Sequence, residues 1–309
     1  MTGRPPGWTI PSYLRDVSRI ARSLPRAGIA APATGAAQWM QALGPIAAAQ
    51  PRVAVATVHR YPLARCFTPA NSPQYPTITH LLTQASSAGL ADSVASFAAA
   101  GHAHGLSVRV DEFNTVSCSG KRGVSDTFAS ALWALDGAFS MARVGVDGVN
   151  IHTFLAGVYQ PFRLRHVHGR WRAGVRPEYY GLMMFAQAAP AGSRLLKVIG
   201  SPGPLIRRWA TRAPDGTIHV VLINDSLHRP RDVALRLPGA GPGALERLRA
   251  PSVSAKDGVT LGGRSFAAQT TTGLLTGRAP SDPVAPVNGE YVIRLPAATA
   301  AMLTLAPPR

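Results

Sequence analysis

RVAVATVHRY, residues 52–61, is an almost wholly apolar run that ends in His59, Arg60 and Tyr61. A strand apolar on both faces is covered on both faces, which is the habit of parallel sheets flanked by helices. Working outward, LSVRVDEF (106–113) and VDGVNIHTF (146–154) repeat the design, and AGIAAPATG (27–35) is a shorter strand closed by turn residues. Helical patterns alternate with these strands. Tyr13, Val17, Ile20 and Leu24 share one face of a helix starting near Ser12, and a second helix surrounds Gln38–Leu43. A Pro-containing loop, 62–77, precedes one or two helices between Ile78 and Ala100. Ser125 is placed to cap a helix carrying Phe128, Leu132, Leu135 and Phe139, and Pro177–Gln187 closes the series. Residues 1–190 are therefore expected to form an α/β domain, a parallel sheet or barrel.

Past residue 190 the texture changes to short strands between Gly and Pro turns. LIRRWATRAPDGTIHVVLIND (205–225) predicts a hairpin turning at Asp215-Gly216, and RDVALRLP, DGVTLGG, GEYVIRLP and TAAMLTL continue the pattern. Residues 191–309 are expected to be a small antiparallel β-sandwich, with 267–288 as a long loop. No internal repeat is present.

The chain has 309 residues, 46% hydrophobic and 15% charged, a balance that builds a core and excludes extensive disorder. No apolar run reaches the ~18 residues of a membrane helix, and the first twenty residues carry no secretory signal. The net charge of +17 raises the question of nucleic acid, but 29 of the 32 basic residues are Arg, scattered among Ala, Gly and Pro. No zinc-finger or RNP-type motif accompanies them, so no nucleic-acid role is expected. Two cysteines, Cys66 and Cys118, are too few for a disulfide scaffold and form no CxxC pair. Neither HxxxH nor HExxH occurs, nor a GxSxG elbow or phosphate loop, so no metal and no cofactor are expected.

In a parallel α/β barrel the working residues stand at the C-terminal ends of the strands. Those ends hold Thr34-Gly35, His59-Arg60-Tyr61, Asp111-Glu112 with Asn114, and Asn150–His152. A carboxylate, a histidine and a tyrosine at one rim are the composition of a sugar-hydrolysing site. Each also has a plain reading: Glu112 as a solvated rim residue, His59 as a partner for neighbouring backbone.

DEFNTVSCSGKRGVSDTFASALWALD (111–136) resembles the nucleophile strand and following helix of glycoside hydrolase family 79, the heparanase and β-glucuronidase family. The resemblance extends to VATVHRYPLARC (55–66), VGVDGVNIHTFLAGVYQPF (144–162), RPEYYGLMMFAQA (176–188) and NGEYVIRLPAATAAMLTL (288–305). It implies the C-terminal half, strands five to eight, of a (β/α)8 TIM barrel followed by a β-domain. The implied activity is a retaining glycoside hydrolase acting on β-D-glucuronides. Carried over, Glu112 is the catalytic nucleophile, while His59 and Tyr61 orient it and line the sugar site. Gly157 and Tyr159 match the residues that meet the uronate carboxylate, through a phenol and backbone amides. Ser119 and Gly120 occupy a Gly-rich part of the family pattern that would add backbone donors, although Ser119 departs from it.

The family's general acid/base is a Glu preceded by Asn, and this chain has no Asn-Glu pair; Glu112, Glu178, Glu246 and Glu290 are its only glutamates. RPPGWTIPSYLRDVSRIA (4–21) resembles the segment that follows that motif. The expectation is an N-terminally truncated enzyme, inactive by itself, whose partner is a missing N-terminal half-barrel and whose substrate is a glucuronide-containing carbohydrate. The family implies a secreted or periplasmic setting. Cys66 and Cys118 would follow adjacent barrel strands, and either a disulfide or two separate thiols fits. Two other functions stay open: a non-catalytic or degenerate carbohydrate-binding protein that keeps the uronate pocket, and a polyanion-binding module using the Arg surface. Following the eighth strand, Arg163–Arg176 predicts a hairpin with Arg163, Arg165, Arg170, Arg172 and Arg176 and no acidic residue, which would steer an anionic substrate and add aglycone contacts. A solvated hairpin in an Arg-rich protein is the plain alternative.

Overall fold

A computed structural model describes residues 6–200, 203–237, 241–277 and 282–307, so Pro238 of RDVALRLP and residues 278–281 of the long loop lie outside the described residues. The chain divides into two compact units.

The first unit comprises 1–61, 89–114 and 141–152. Strands Ile29–Thr34, Val53–Arg60, Ser107–Phe113 and Gly148–Ile151 form one parallel sheet in which spatial order follows chain order. Val58, Val108, Val110 and Phe113 are fully buried in it, as their continuous apolar runs require. Helices Leu43–Ala49 and Ala95–Ala103 contribute Leu43, Ile46, Phe97 and Ala98 to the same core. Helix Ile10–Ser23 starts where the Thr9 side chain accepts from the Ser12 amide, with Pro11 in its first turn. Its apolar face is only partly used: Tyr13 packs edge-on against Trp39, but Ile20 and Leu24 remain 46% and 49% exposed.

The second unit comprises 62–88, 115–140 and 153–309. Its sheet runs Thr260–Leu261, Gly243–Arg249, Thr299–Leu305, Ile218–Asn224, Ile206–Arg212, Arg194–Leu196, antiparallel throughout. The hairpin within it turns at Asp215-Gly216, where the Asp215 carboxylate accepts from the Thr217 amide. A separate ladder, Arg231–Arg236 with Glu290–Leu295, supplies Val233, Tyr291, Ile293 and Leu295 to a core completed by Val220, Leu222, Leu245 and Leu303 of the sheet.

This unit runs across residue 190, where the sequence places a domain boundary, because two helices bury faces against the antiparallel sheet. Phe139 of helix Phe128–Arg143 stacks on Trp209 with centroids 5.4 Å apart, and Trp209 Nε1 donates to Asp136 at 2.7 Å. The Arg207 guanidinium lies 2.9 Å from Asp225 and 3.6 Å from Asp136. Thr211 donates to the Ala188 carbonyl at the end of helix Pro177–Ala188. Ser125 does not cap the first of these helices: its hydroxyl accepts from the Lys121 amide, and the first-turn amides of Phe128 and Ala129 go to the carbonyls of Ala255 and Val253.

Candidate active site

The decisive local feature is a slip in strand pairing. Val58 faces Val110, but the next residue, His59, faces Glu112, so Asp111 is one residue in excess on its strand. Such a bulge twists the strand and re-aims the side chains around it. Consequently both carboxylates address one imidazole: His59 Nδ1 lies 2.6 Å from Glu112 Oε2 and Nε2 lies 3.6 Å from Asp111 Oδ1. Tyr61, just past the same strand end, donates to Glu112 Oε1 at 2.9 Å. His152 follows the next strand, and its Nδ1 stands 2.7 Å from that oxygen and 2.6 Å from the Tyr61 hydroxyl. The His152 amide donates to Phe113 O and its carbonyl accepts from Asn114 Nδ2, each at 3.0 Å, which fixes the residue from both sides.

Three heavy atoms, Tyr61 Oη, His152 Nδ1 and Glu112 Oε1, therefore share two protons. With the phenol donating to Glu112, an Nδ1–H on His152 has the phenol oxygen and the carboxylate as acceptors. His59 serves the second carboxylate oxygen. A carboxylate so held has its orientation fixed through both oxygens while its side chain keeps 26% exposure, the combination a nucleophile or base requires.

Asp111 differs from its neighbour. Burial raises its carboxyl above the usual Asp range; the attraction of His59 opposes this and the negative charge of Glu112 adds to it. Its Oδ1 is buried without a hydrogen bond, since His59 at 3.6 Å is too far. An acid whose folded pKa is raised lowers stability once the pH exceeds its unfolded value. Asp111→Asn should therefore melt at a higher temperature than the parent at neutral pH. The two should converge on acidification below about pH 4, where Asp is protonated in both states. A variant that melts lower at neutral pH would show that the charge of Asp111 stabilises the fold.

The remaining sequence-derived residues lie in the second unit and are brought together there. Cys118, Ser119 and Gly120 form a left-handed run with φ of 62°, 77° and 77°. A Cβ on Gly120 would meet the Tyr159 ring at 2.9 Å, so only glycine fits beneath it. Tyr159 itself is 2% exposed and sits edge-on to Phe154. The amide of Gly157 donates to Phe154 O, that of Val158 to Ser119 O and that of Gly120 to Val116 O. The backbone donors that the resemblance assigns to Gly157 and Gly120 are thus already engaged within the unit. Cys66 and Cys118 are joined as a disulfide, with Cα atoms 6.1 Å apart.

Asp111 and His152 stand among the strand-end residues in the sequence, without a role; the structure puts both in contact with the His59–Glu112 pair. Among the described residues no group of three or more His, Cys, Asp or Glu is arranged to hold a metal ion, and no helix is long and apolar enough to cross a membrane.

No protein-family model and no curated protein matches this sequence. Solved structures do match, and they are glycoside hydrolases. A 4-O-α-L-rhamnosyl-β-D-glucuronidase from Fusarium oxysporum 12S, solved as a Rha-GlcA complex, aligns with a TM-score of 0.79 at 17% identity, over 96% of this chain and 65% of that one. A GH51 arabinofuranosidase from Xanthomonas axonopodis pv. citri gives 0.65 at 15% identity, over 95% and 62%. A GH30 endoxylanase from Clostridium papyrosolvens C71 gives 0.53 at 13%, over 97% and 61%. At these identities the likeness is one of fold. This chain spans less than two thirds of the length of each of these structures.

Proposed function

We propose that the protein is a retaining glycoside hydrolase acting on β-D-glucuronides, built on the strand-five-to-eight half of a (β/α)8 barrel, with Glu112 as nucleophile. The observation that carries this reading is the Glu112 carboxylate at the C-terminal end of a parallel strand, gripped at both oxygens by His59, Tyr61 and His152. The fold likeness to a β-D-glucuronidase supports the sugar chemistry, and the resemblance of 111–136 and 157–159 supports the uronate. In the proposed first step a Glu112 oxygen attacks the anomeric carbon and forms a glycosyl ester, while the glycosidic C–O bond breaks and its electron pair leaves with the aglycone oxygen, which takes up a proton from water. Water then cleaves that ester. His59, Tyr61 and His152 hold the carboxylate in line. The second reading is a carbohydrate-binding protein that keeps these residues without turnover.

An activated sugar separates the two, because fluoride leaves as an anion and needs no proton from an acid. Incubation with a 2-deoxy-2-fluoro-β-D-glucuronyl fluoride should add one fluoroglucuronyl group per chain, on the peptide containing Glu112. The C1–F bond breaks as the ester forms, and the C2 fluorine slows its hydrolysis. An unlabelled protein, or label on another residue, would overturn the assignment.

A further inference from the structure

The hairpin Phe162–Val167/Arg170–Val175 carries a second chemistry, wholly within the second unit. Its register places Arg163 opposite Gly174, Arg165 opposite Arg172 and Val167 opposite Arg170. Opposed residues in an antiparallel pair share a face, and alternate residues along each strand do too. All four arginines therefore project from one side, while Phe162, Leu164, His166, Trp171 and Ala173 occupy the other. Like charges directly opposite repel, as Arg165 and Arg172 must. None of these four guanidinium groups has a carboxylate partner among the described residues. Gly174 leaves room between them: Arg163, Arg165, Arg172 and Gly174 line a cavity of about 130 Å³ whose far wall is Ala268 and Gln269. That wall is tied to the hairpin by reciprocal backbone bonds between Ala173 and Thr270, each 2.9 Å.

From this we infer that the cleft is a binding site for a carboxylate or sulfate group of an acidic oligosaccharide. The volume is well above the ~10–15 Å³ that one water needs by the same measure, so the cleft has room for an oxyanion. Guanidinium forks match the paired oxygens of carboxylate and sulfate alike, and a bound anion removes the Arg165–Arg172 repulsion. The saccharide rests on the function proposed above, and two features of the cleft agree with it. Gln269, which lines the cleft, offers a neutral amide suited to sugar hydroxyls. No aromatic ring lines the cleft to stack a nucleic-acid base, since Trp171 faces the opposite way.

Calorimetric titration tests this without hydrolysis, so its outcome is independent of Glu112 chemistry. The probes are hexagalacturonate, a dextran sulfate oligosaccharide of similar length, neutral maltohexaose and a short DNA duplex, each at low and at physiological salt. At least one acidic sugar should bind, weakening with salt as exposed charges are screened over about 8–10 Å, and the stronger of the two identifies the oxyanion. Maltohexaose should not bind. Replacing Arg163, Arg165 and Arg172 together by Gln should weaken the acidic sugar at least tenfold. Gly174→Leu keeps every charge but fills the cleft, and should weaken it comparably; both variants should melt like the parent because the changes are at the surface. Undiminished binding in either variant would overturn the site. DNA binding as tight as the acidic sugar's, and equally dependent on these residues, would overturn its assignment to saccharide.

Discussion

Glu112→Gln is expected to lower kcat for 2,4-dinitrophenyl β-D-glucuronide at least about a thousandfold, a loss of roughly 4 kcal/mol of transition-state stabilisation. Dinitrophenolate departs without protonation, so with this substrate the ester-forming step needs no general acid. An amide keeps the size and some of the hydrogen bonding of the carboxylate but cannot form the ester. Its neighbours act by orientation, and their removal should cost less. A hydrogen bond to a charged group is worth about 1.5–3 kcal/mol, so Tyr61→Phe and His152→Asn should each reduce kcat by roughly ten- to a hundredfold. Glu112→Ala opens space beside the anomeric carbon, and added azide should restore turnover with formation of a glycosyl azide. A Glu112→Gln protein that retains substantial turnover would remove Glu112 from the chemistry and leave the cluster a structural feature. Thermal melting of each variant separates that outcome from loss of fold.

The parallel sheet was legible because burial on both faces writes itself into composition: a run such as 52–58 has nowhere to go but a covered strand. The hairpin 206–224 was legible because Asp215-Gly216 sits between two alternating runs. His59, Tyr61 and Glu112 could be found by reading strand ends, and the structure joins them through hydrogen bonds. The bulge at Asp111 could not, since a one-residue slip in pairing leaves no mark on a single strand. His152 shares that limit: its place at a strand end is local, but its reach to Glu112 depends on the register with the neighbouring strand. The grouping of residues 128–140 and 177–188 with the antiparallel sheet was also hidden. It rests on contacts such as Phe139 with Trp209 and Thr211 with Ala188, which no local pattern announces. The capping of helix Phe128–Arg143 by carbonyls of Val253 and Ala255 is the same kind of long-range fact.

Gly181→Ala is expected to destabilise the protein by about 3 kcal/mol or more, against a total that for most domains is about 5–15 kcal/mol. Helix propensity alone gives the opposite sign, since alanine in place of a helical glycine gains about 0.8–1 kcal/mol. Packing decides the matter. Gly181 lies in helix Pro177–Ala188, and a Cβ there would stand 2.0 Å from the carbonyl oxygen of Ala131 in helix Phe128–Arg143. Backbone cannot rotate aside as a side chain does, so the helices must separate by more than an ångström, far beyond what a close-packed interior absorbs. Separation would also loosen the edge-on contact of Phe139 with Phe185, whose centroids are 4.8 Å apart. With about 2–4 °C per kcal/mol for domains of roughly this size, the melting temperature should fall by about 6–12 °C or more. Gly101→Ala supplies the comparison. Its Cβ would meet Val108 Cγ2 at 2.5 Å, a side-chain methyl rather than backbone but one on a fully buried β-branched residue, and its loss should be smaller, about 1–3 kcal/mol. Calorimetric melting of both variants decides it, and a Gly181→Ala protein as stable as the parent would mean that these two helices do not pack backbone to backbone.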